Sequence, residues 1–205
     1  KKISKLSKKY GALLFIDDAH GFCVMKNKKN SLILPNICSY SEINIKNIDA
    51  YVGTFGKAVG TFGSFIAGSK HLINLLIQKS RPYIYSTSLP PAIIESTRKS
   101  LKIIKNQNKL HNNLFRNINF FINMAASANL NFNKSDTPIQ TINIGDPKKT
   151  LQIQNSAFKK GLFIQAIRYP SVPKGCDKIR ISLTAKHNEK YIKKLIKFFI
   201  GELKP

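Results

Sequence analysis

Short apolar runs, each closed by a glycine or a polar cluster, dominate the chain as far as Pro90, and longer apolar patterns of helical spacing take over beyond it. Residues 12–17, Ala-Leu-Leu-Phe-Ile-Asp, are rich in strand formers and lie between Gly11 and a polar stretch, which predicts a buried parallel strand. Residues 4–10 read as the end of a helix stopped by Gly11. Residues 50–55 and 64–68 predict two more short strands of parallel type, one on each side of Lys57. The polar stretch 26–47, with Pro35, reads mostly as loop. Leu72, Ile73, Leu76 and Ile77 recur at helical spacing behind Ser69, a suitable N-cap.

From Ala92 to about Ala126 an amphipathic pattern predicts one long helix, or two with a break near residues 106–108. Residues 139–145 alternate as a strand that ends at Gly145. Asp146 as N-cap, Pro147 at the first helical position and Gly161 as a stop delimit a further helix. Residues 162–167 and 178–184 predict strands, and residues 188–203 a final helix. The reading is an α/β unit over residues 1–90 and a smaller α+β unit over 91–205, joined through Pro90 and Pro91.

With 42% hydrophobic and 10% aromatic residues, the 205-residue chain can bury a core, which argues against intrinsic disorder. No run approaches the roughly 20 apolar residues of a membrane span. The basic start Lys-Lys-Ile-Ser-Lys is not followed by a signal-peptide core, so no membrane partner is expected. The chain does not open on methionine, which points to residues upstream. Cys23, Cys38 and Cys176 are odd in number and widely spaced. They argue against a disulfide framework or a metal site, and for a reducing, cytoplasmic setting. A net charge of +24 raises nucleic-acid binding. Yet Arg81, Arg98, Arg116, Arg168 and Arg180 are the only arginines among 34 basic residues. The lysines scatter among Asn and Ile as solvated faces would, so no nucleic-acid partner is expected.

Against this background Lys57 stands out, set among Gly53, Gly56, Gly60 and Gly63. The spacing is not that of a phosphate-binding P-loop, because only two residues separate Gly53 from Gly56 and Ala58 follows the lysine. A lysine in a glycine-rich turn between strands suits a buried amine, whose desolvation frees the nucleophile for Schiff-base chemistry. Thr54, three residues earlier, can offer a hydroxyl to a phosphate. Asp17, at the carboxyl end of its strand, suits the anion that keeps a pyridine nitrogen protonated, and His20 can reach a ring oxygen.

The segments "LLFIDDAHGF", "GTFGKAVGTFGSFIAG", "RPYIYSTSLPPA", "AIRYPSVPKG" and "IRISLTAKH" together resemble the α-oxoamine synthases. These are pyridoxal-phosphate enzymes of the aspartate-aminotransferase fold, fold type I. The resemblance covers the whole chain but only the carboxyl-terminal half of the family's length. It implies part of the large cofactor-binding domain over residues 1–90 and the small C-terminal α+β domain over 91–205. It further implies that Lys57 is the Schiff-base lysine, that Asp17 partners the pyridine nitrogen, and that His20 contacts the ring oxygen. Thr54 would touch the phosphate, and Ser86 and Thr87 would reach the phosphate of a neighbouring subunit in a homodimer. Arg168 would hold the amino acid's carboxylate and Ser171 would contact substrate.

Gly21 after the histidine, with "AIRYPSVPKG", favours the branch that condenses L-alanine with pimeloyl-CoA or pimeloyl-acyl carrier protein to 8-amino-7-oxononanoate, a biotin precursor. The resemblance leaves open another α-oxoamine synthase, or a truncated, non-catalytic basic protein. Cys23 and Met25 stand where the family usually has glycine, and Ser64 where it has another small residue. The half not represented normally supplies the ring that stacks on the cofactor, so this chain alone is expected to be inactive.

Overall fold

The computed structural model describes residues 1–25, 34–106 and 108–203. By packing, these fall into two compact units, Lys1–Asn108 and Lys109–Pro205.

In the first unit α1 (Lys2–Lys9) leads through Gly11 into β1 (Phe15–Asp17), which pairs in parallel with β2 (Ala50–Thr54) and sets Asp17 beside Val52. The third strand, β3 (Ser64–Gly68), runs antiparallel to β2, and the sheet order is β1-β2-β3. Parallel strands throughout were the expectation. Only residues 55–63 link β2 to β3, whereas a parallel crossover takes about a dozen residues or more, so the chain returns as a hairpin does. Nor is β1 buried as its apolar run predicts. It lies at the sheet's edge with Phe15 60% exposed.

The stretch read as loop contains α2 (Ile37–Ser41) and a 3₁₀ turn, Ile45–Asn47; its residues 26–33 lie outside the described residues. Asn36 nucleates α2, because its side chain accepts from the N–H groups of Cys38 and Ser39 while Ser39 bonds back to the cap. Ser69 caps α3 (Lys70–Lys79) by accepting from the Leu72 N–H. A short α4 (Arg81–Ile84) and α5 (Pro91–Asn106) complete the unit.

The second unit begins with α6 (Asn108–Ser127), so the expected break falls between Asn106 and Asn108, with Gln107 outside the described residues. Its sheet has the order β4-β5-β7-β6, antiparallel at every pairing. The strands are β4 (Phe132–Asn133), too short to show a pattern in sequence, β5 (Ile139–Asn143), β6 (Gln165–Ile167) and β7 (Lys178–Ser182). Between them α7 (Pro147–Lys159) starts at Asp146, whose carboxylate accepts from the Lys149 N–H, and stops before Gly161 at φ +70°. The last helix is α8 (Glu189–Leu203).

The core of this unit comes from matched periodicities. α6 turns Ile118, Phe121, Ile122 and Ala125 inward, α8 contributes Ile192, Leu195, Ile196 and Phe199, and β7 adds alternate residues Ile179 and Ile181. Burying each large apolar side chain contributes about 1.5–3 kcal/mol. Phe121→Ala should therefore lower unfolding free energy by about 3–5 kcal/mol in denaturant titrations. Phe163→Ala, at a 91% exposed position, should stay within about 0.5 kcal/mol of the parent. Equal losses at the two positions would contradict this core.

Candidate active site

Because β1 and β2 are parallel and adjacent, their carboxyl ends open at the same end of the sheet. Asp17 is the last residue of β1 and Thr54 the last of β2. Two bonds tie the turn after β1 to β2: the Asp18 N–H donates to the Val52 carbonyl at 2.9 Å, and Thr54 Oγ1 donates to the Ala19 carbonyl at 3.4 Å. Asp17, His20, Thr54 and Lys57 thus all stem from one end of two neighbouring strands. Such ends are where open α/β sheets bind ligands.

The two aspartates point apart, as successive strand residues must. Asp18 is buried, at 5% exposure, and its Oδ2 accepts from the Tyr51 hydroxyl at 2.6 Å and the Ile37 N–H at 2.9 Å. Burial raises the Asp18 carboxyl above its ordinary 3.8 while those two bonds pull the other way. Burial and the bond to Asp18 likewise raise the Tyr51 hydroxyl. Asp17 is exposed, and its Oδ1 accepts from the Ala19 N–H at 3.0 Å. One carboxylate is therefore committed to the fold and the other faces outward.

Gly21 is explained by the same pair, since a Cβ there would run into Asp18 Oδ1 and come within 2.9 Å of Met25 Cγ. Cys23 carries a φ of +64°, a left-handed conformation that favours glycine. This is why a glycine suits that position. Burial first, then the charge of Asp18, pushes the Cys23 thiol up to about 12. Met25 is buried and has no such backbone, so its side chain is accommodated by packing.

Lys57 sits in a loop closed on itself. The Phe55 N–H donates to the Gly63 carbonyl, the Thr61 N–H to the Phe55 carbonyl, and the Gly60 N–H to the Lys57 carbonyl. Gly63, at φ +107°, makes the return, and Gly53 lets the Phe65 ring lie where a Cβ would be, at 2.5 Å. The glycines thus serve the loop and its aromatic packing. The buried amine expected from the sequence is not what the chain shows: Lys57 is exposed, because among the described residues nothing packs over the loop's outer face.

The remaining candidates stand on other elements. Ser86 and Thr87 are exposed in the segment after α4, Ser86 Oγ donating to the Tyr83 carbonyl at 3.3 Å. Arg168 and Ser171 belong to the second unit, in an exposed turn after β6 where the Ser171 N–H donates to the Arg168 carbonyl at 2.9 Å. The buried Asp177 holds this turn by accepting from the Tyr169 N–H at 3.2 Å. Sequence reasoning missed Asp177, as it missed Arg180, half-buried on β7 with an Nε that has no hydrogen-bond partner. An arginine at the centre of an apolar alternation was the available signal. No group of three or more metal-binding side chains occurs among the described residues, and no described helix is long and apolar enough to cross a membrane.

The sequence pattern of the family "Aminotransferase class I and II" matches residues 1–199. The chain belongs to that family. Among its curated relatives is the 8-amino-7-oxononanoate synthase of Saccharophagus degradans, 37% identical over 196 residues, 95% of this chain and 48% of the relative. The enzyme of the same name from Stutzerimonas stutzeri is 37% identical over 190 residues, 93% of this chain and 47% of the relative. The chain thus spans about half the length of the curated relatives it matches.

Solved structures share its fold. Serine palmitoyltransferase from S. paucimobilis, with a bound PLP–myriocin aldimine, aligns with a TM-score of 0.87 at 21% identity over 98% of this chain and 50% of that one. The 8-amino-7-oxononanoate synthase from Francisella tularensis aligns with a TM-score of 0.83 at 26% identity over 98% and 58%. The expected α/β fold of the aspartate-aminotransferase type is therefore the fold observed.

Two variants test this local geometry. Asp18→Ala strips the Tyr51 hydroxyl and the Ile37 N–H of their acceptor and should cost about 2–4 kcal/mol. Asp18→Asn keeps an acceptor and removes the charge. A carboxyl raised by folding binds its proton more tightly in the native state, so its stabilising contribution is full at low pH. That contribution is lost as pH climbs from about 4 through the raised value. The stability of Asp18→Asn relative to the parent should therefore rise over that window in denaturant titrations; a flat difference would refute the assignment. Cys23→Gly should stabilise the fold by about 1 kcal/mol by relieving the left-handed strain; a loss would show that the Cys23 side chain matters more than its backbone.

Proposed function

We propose that the chain is the carboxyl-terminal half of a pyridoxal-phosphate-dependent α-oxoamine synthase. The reaction is the condensation of L-alanine with a pimeloyl thioester, of coenzyme A or of acyl carrier protein. It yields 8-amino-7-oxononanoate, carbon dioxide and the free thiol, a step towards biotin. The observation that carries this reading is the 37% identity over 95% of the chain to proteins named for that reaction. The outward-facing Asp17 beside the Thr54–Lys57 loop supports it.

The donor set fits pyridoxal phosphate. Asp17 is an exposed carboxylate for the ring nitrogen, Lys57 an amine for the aldehyde, Thr54 a hydroxyl for the phosphate and His20 an imidazole for the ring oxygen. When bound, the cofactor supplies an electron sink for charge on the amino acid's α-carbon. Asp17 keeps a proton on the ring nitrogen by its negative charge. Lys57 Nζ would hold the aldehyde and would serve as the general base for the amino acid's α-proton. Arg168 offers a planar fork to the amino acid's carboxylate, with Ser171 in the same turn.

Ser86 and Thr87, exposed beyond α4, are read as hydroxyls for the phosphate of the second active site in a homodimer. Residues 1–90 are then read as part of the large domain and 91–205 as the small one together with α5, the helix leading into it that packs in the first unit, in a cytoplasmic enzyme. A second reading, a synthase of the serine palmitoyltransferase kind, is favoured by the higher TM-score of 0.87. Its 21% identity over the same chain speaks for shared fold rather than shared substrate.

Borohydride reduction of the protein in the presence of pyridoxal phosphate, followed by peptide mapping, should place the label on Lys57 alone among the lysines. Label spread over several lysines would sink the reading. With the label on Lys57, a spectral response to L-serine in preference to L-alanine would favour the second reading.

A further inference from the structure

The Lys57 loop is braced from one side by α5. Ser100 Oγ donates to the Val59 carbonyl at 2.6 Å, and Thr97 Oγ1 lies 2.8 Å from Thr61 Oγ1. Thr97 Oγ1 also donates to the Ile93 carbonyl at 2.8 Å. Thr97 is thus the donor toward both the Thr61 hydroxyl and the Ile93 carbonyl, and because a hydroxyl has one proton it shares that proton between the loop and its own helix. Thr97 and Ser100 are three residues apart on one face of α5, next to Leu101 and Ile104, which pack against Phe22, Cys23 and Val59. Val59 is 4% exposed and Thr97 8%, so these bonds are made away from water, where losing a partner is costly. Both anchored loop residues, Val59 and Thr61, lie within four positions of Lys57.

We propose that Thr97 and Ser100 are positioning residues for Lys57. Their hydroxyls clamp the carboxyl side of the loop onto α5, and so fix where the exposed Lys57 amine is presented to a pyridoxal-type aldehyde. The inference rests on the reading of Lys57 as the cofactor-binding lysine. Neither hydroxyl touches the reacting atoms; both act through the loop backbone.

The test compares the parent protein with Thr97→Val plus Ser100→Ala, and with the conservative pair Thr97→Ser plus Ser100→Thr. Pyridoxal phosphate is the probe, with amide hydrogen exchange measured alongside. In the first pair the Gly60 and Thr61 amides should exchange about tenfold faster or more, while those of β5 and β7 keep the parent rates. The pH midpoint of the Lys57–pyridoxal phosphate absorbance should move by roughly half a unit or more, and the conservative pair should restore it. Loosened amides with an unmoved midpoint would reduce the clamp to a structural role and overturn the proposal. So would a moved midpoint that the conservative pair fails to restore. If the parent itself carries no label at Lys57, the functional reading fails first and the clamp falls with it. Label on Lys57 in the parent, with identical midpoints in all three proteins, defeats the clamp alone.

Discussion

The Asp18 carboxylate, shut away from water and held by the Tyr51 hydroxyl and the Ile37 N–H, is the contact on which the candidate site's arrangement depends. It ties three segments together: the turn after β1, the middle of β2 and the start of α2. A charge buried this way must keep its partners or change its protonation, so the three segments cannot drift apart cheaply. Successive strand residues alternate between faces, so fixing Asp18 inward fixes Asp17 outward. Its other oxygen fills the space where a side chain at position 21 would go, which makes Gly21 a consequence of the same contact.

Much of this was legible in the chain. The caps at Ser69 and Asp146, the strand ending at Asp17 and the stop at Gly161 are local signals that the fold follows, whereas β5 ends at Asn143, two residues before the Gly145 expected to close it. The glycines around Lys57 were legible, and their work proved to be shaping the loop and admitting the Phe65 ring. What escaped depends on partners distant in sequence. Tyr51 meets Asp18 across 33 positions, and Ser100 meets Val59 across 41. The direction of β3 could have been read from the short link before it. The capping of α2 by Asn36 was hidden only by the polar stretch around it.

The exposure of Lys57 is instructive for the same reason. Desolvation belongs to whatever covers a side chain, and a glycine-rich turn fixes only the backbone beneath it. Asp17, Thr54 and Lys57 therefore present a positioned but open set of groups. The order of the site comes from below, through Asp18, Tyr51 and α5, in keeping with the rule that a reactive group needs supporting contacts to hold its geometry. That division separates residues whose loss loosens the fold from residues whose loss leaves the fold intact and removes chemistry.

The central claim is that Asp17, and not its neighbour, faces the cofactor. Nitrogen-15 NMR of pyridoxal phosphate labelled at the ring nitrogen and bound to the protein addresses it directly. The ring nitrogen should be protonated in the parent and in Asp18→Asn, and should lose that proton in Asp17→Asn. A nitrogen that stays protonated in Asp17→Asn, or that loses its proton only in Asp18→Asn, would contradict the account.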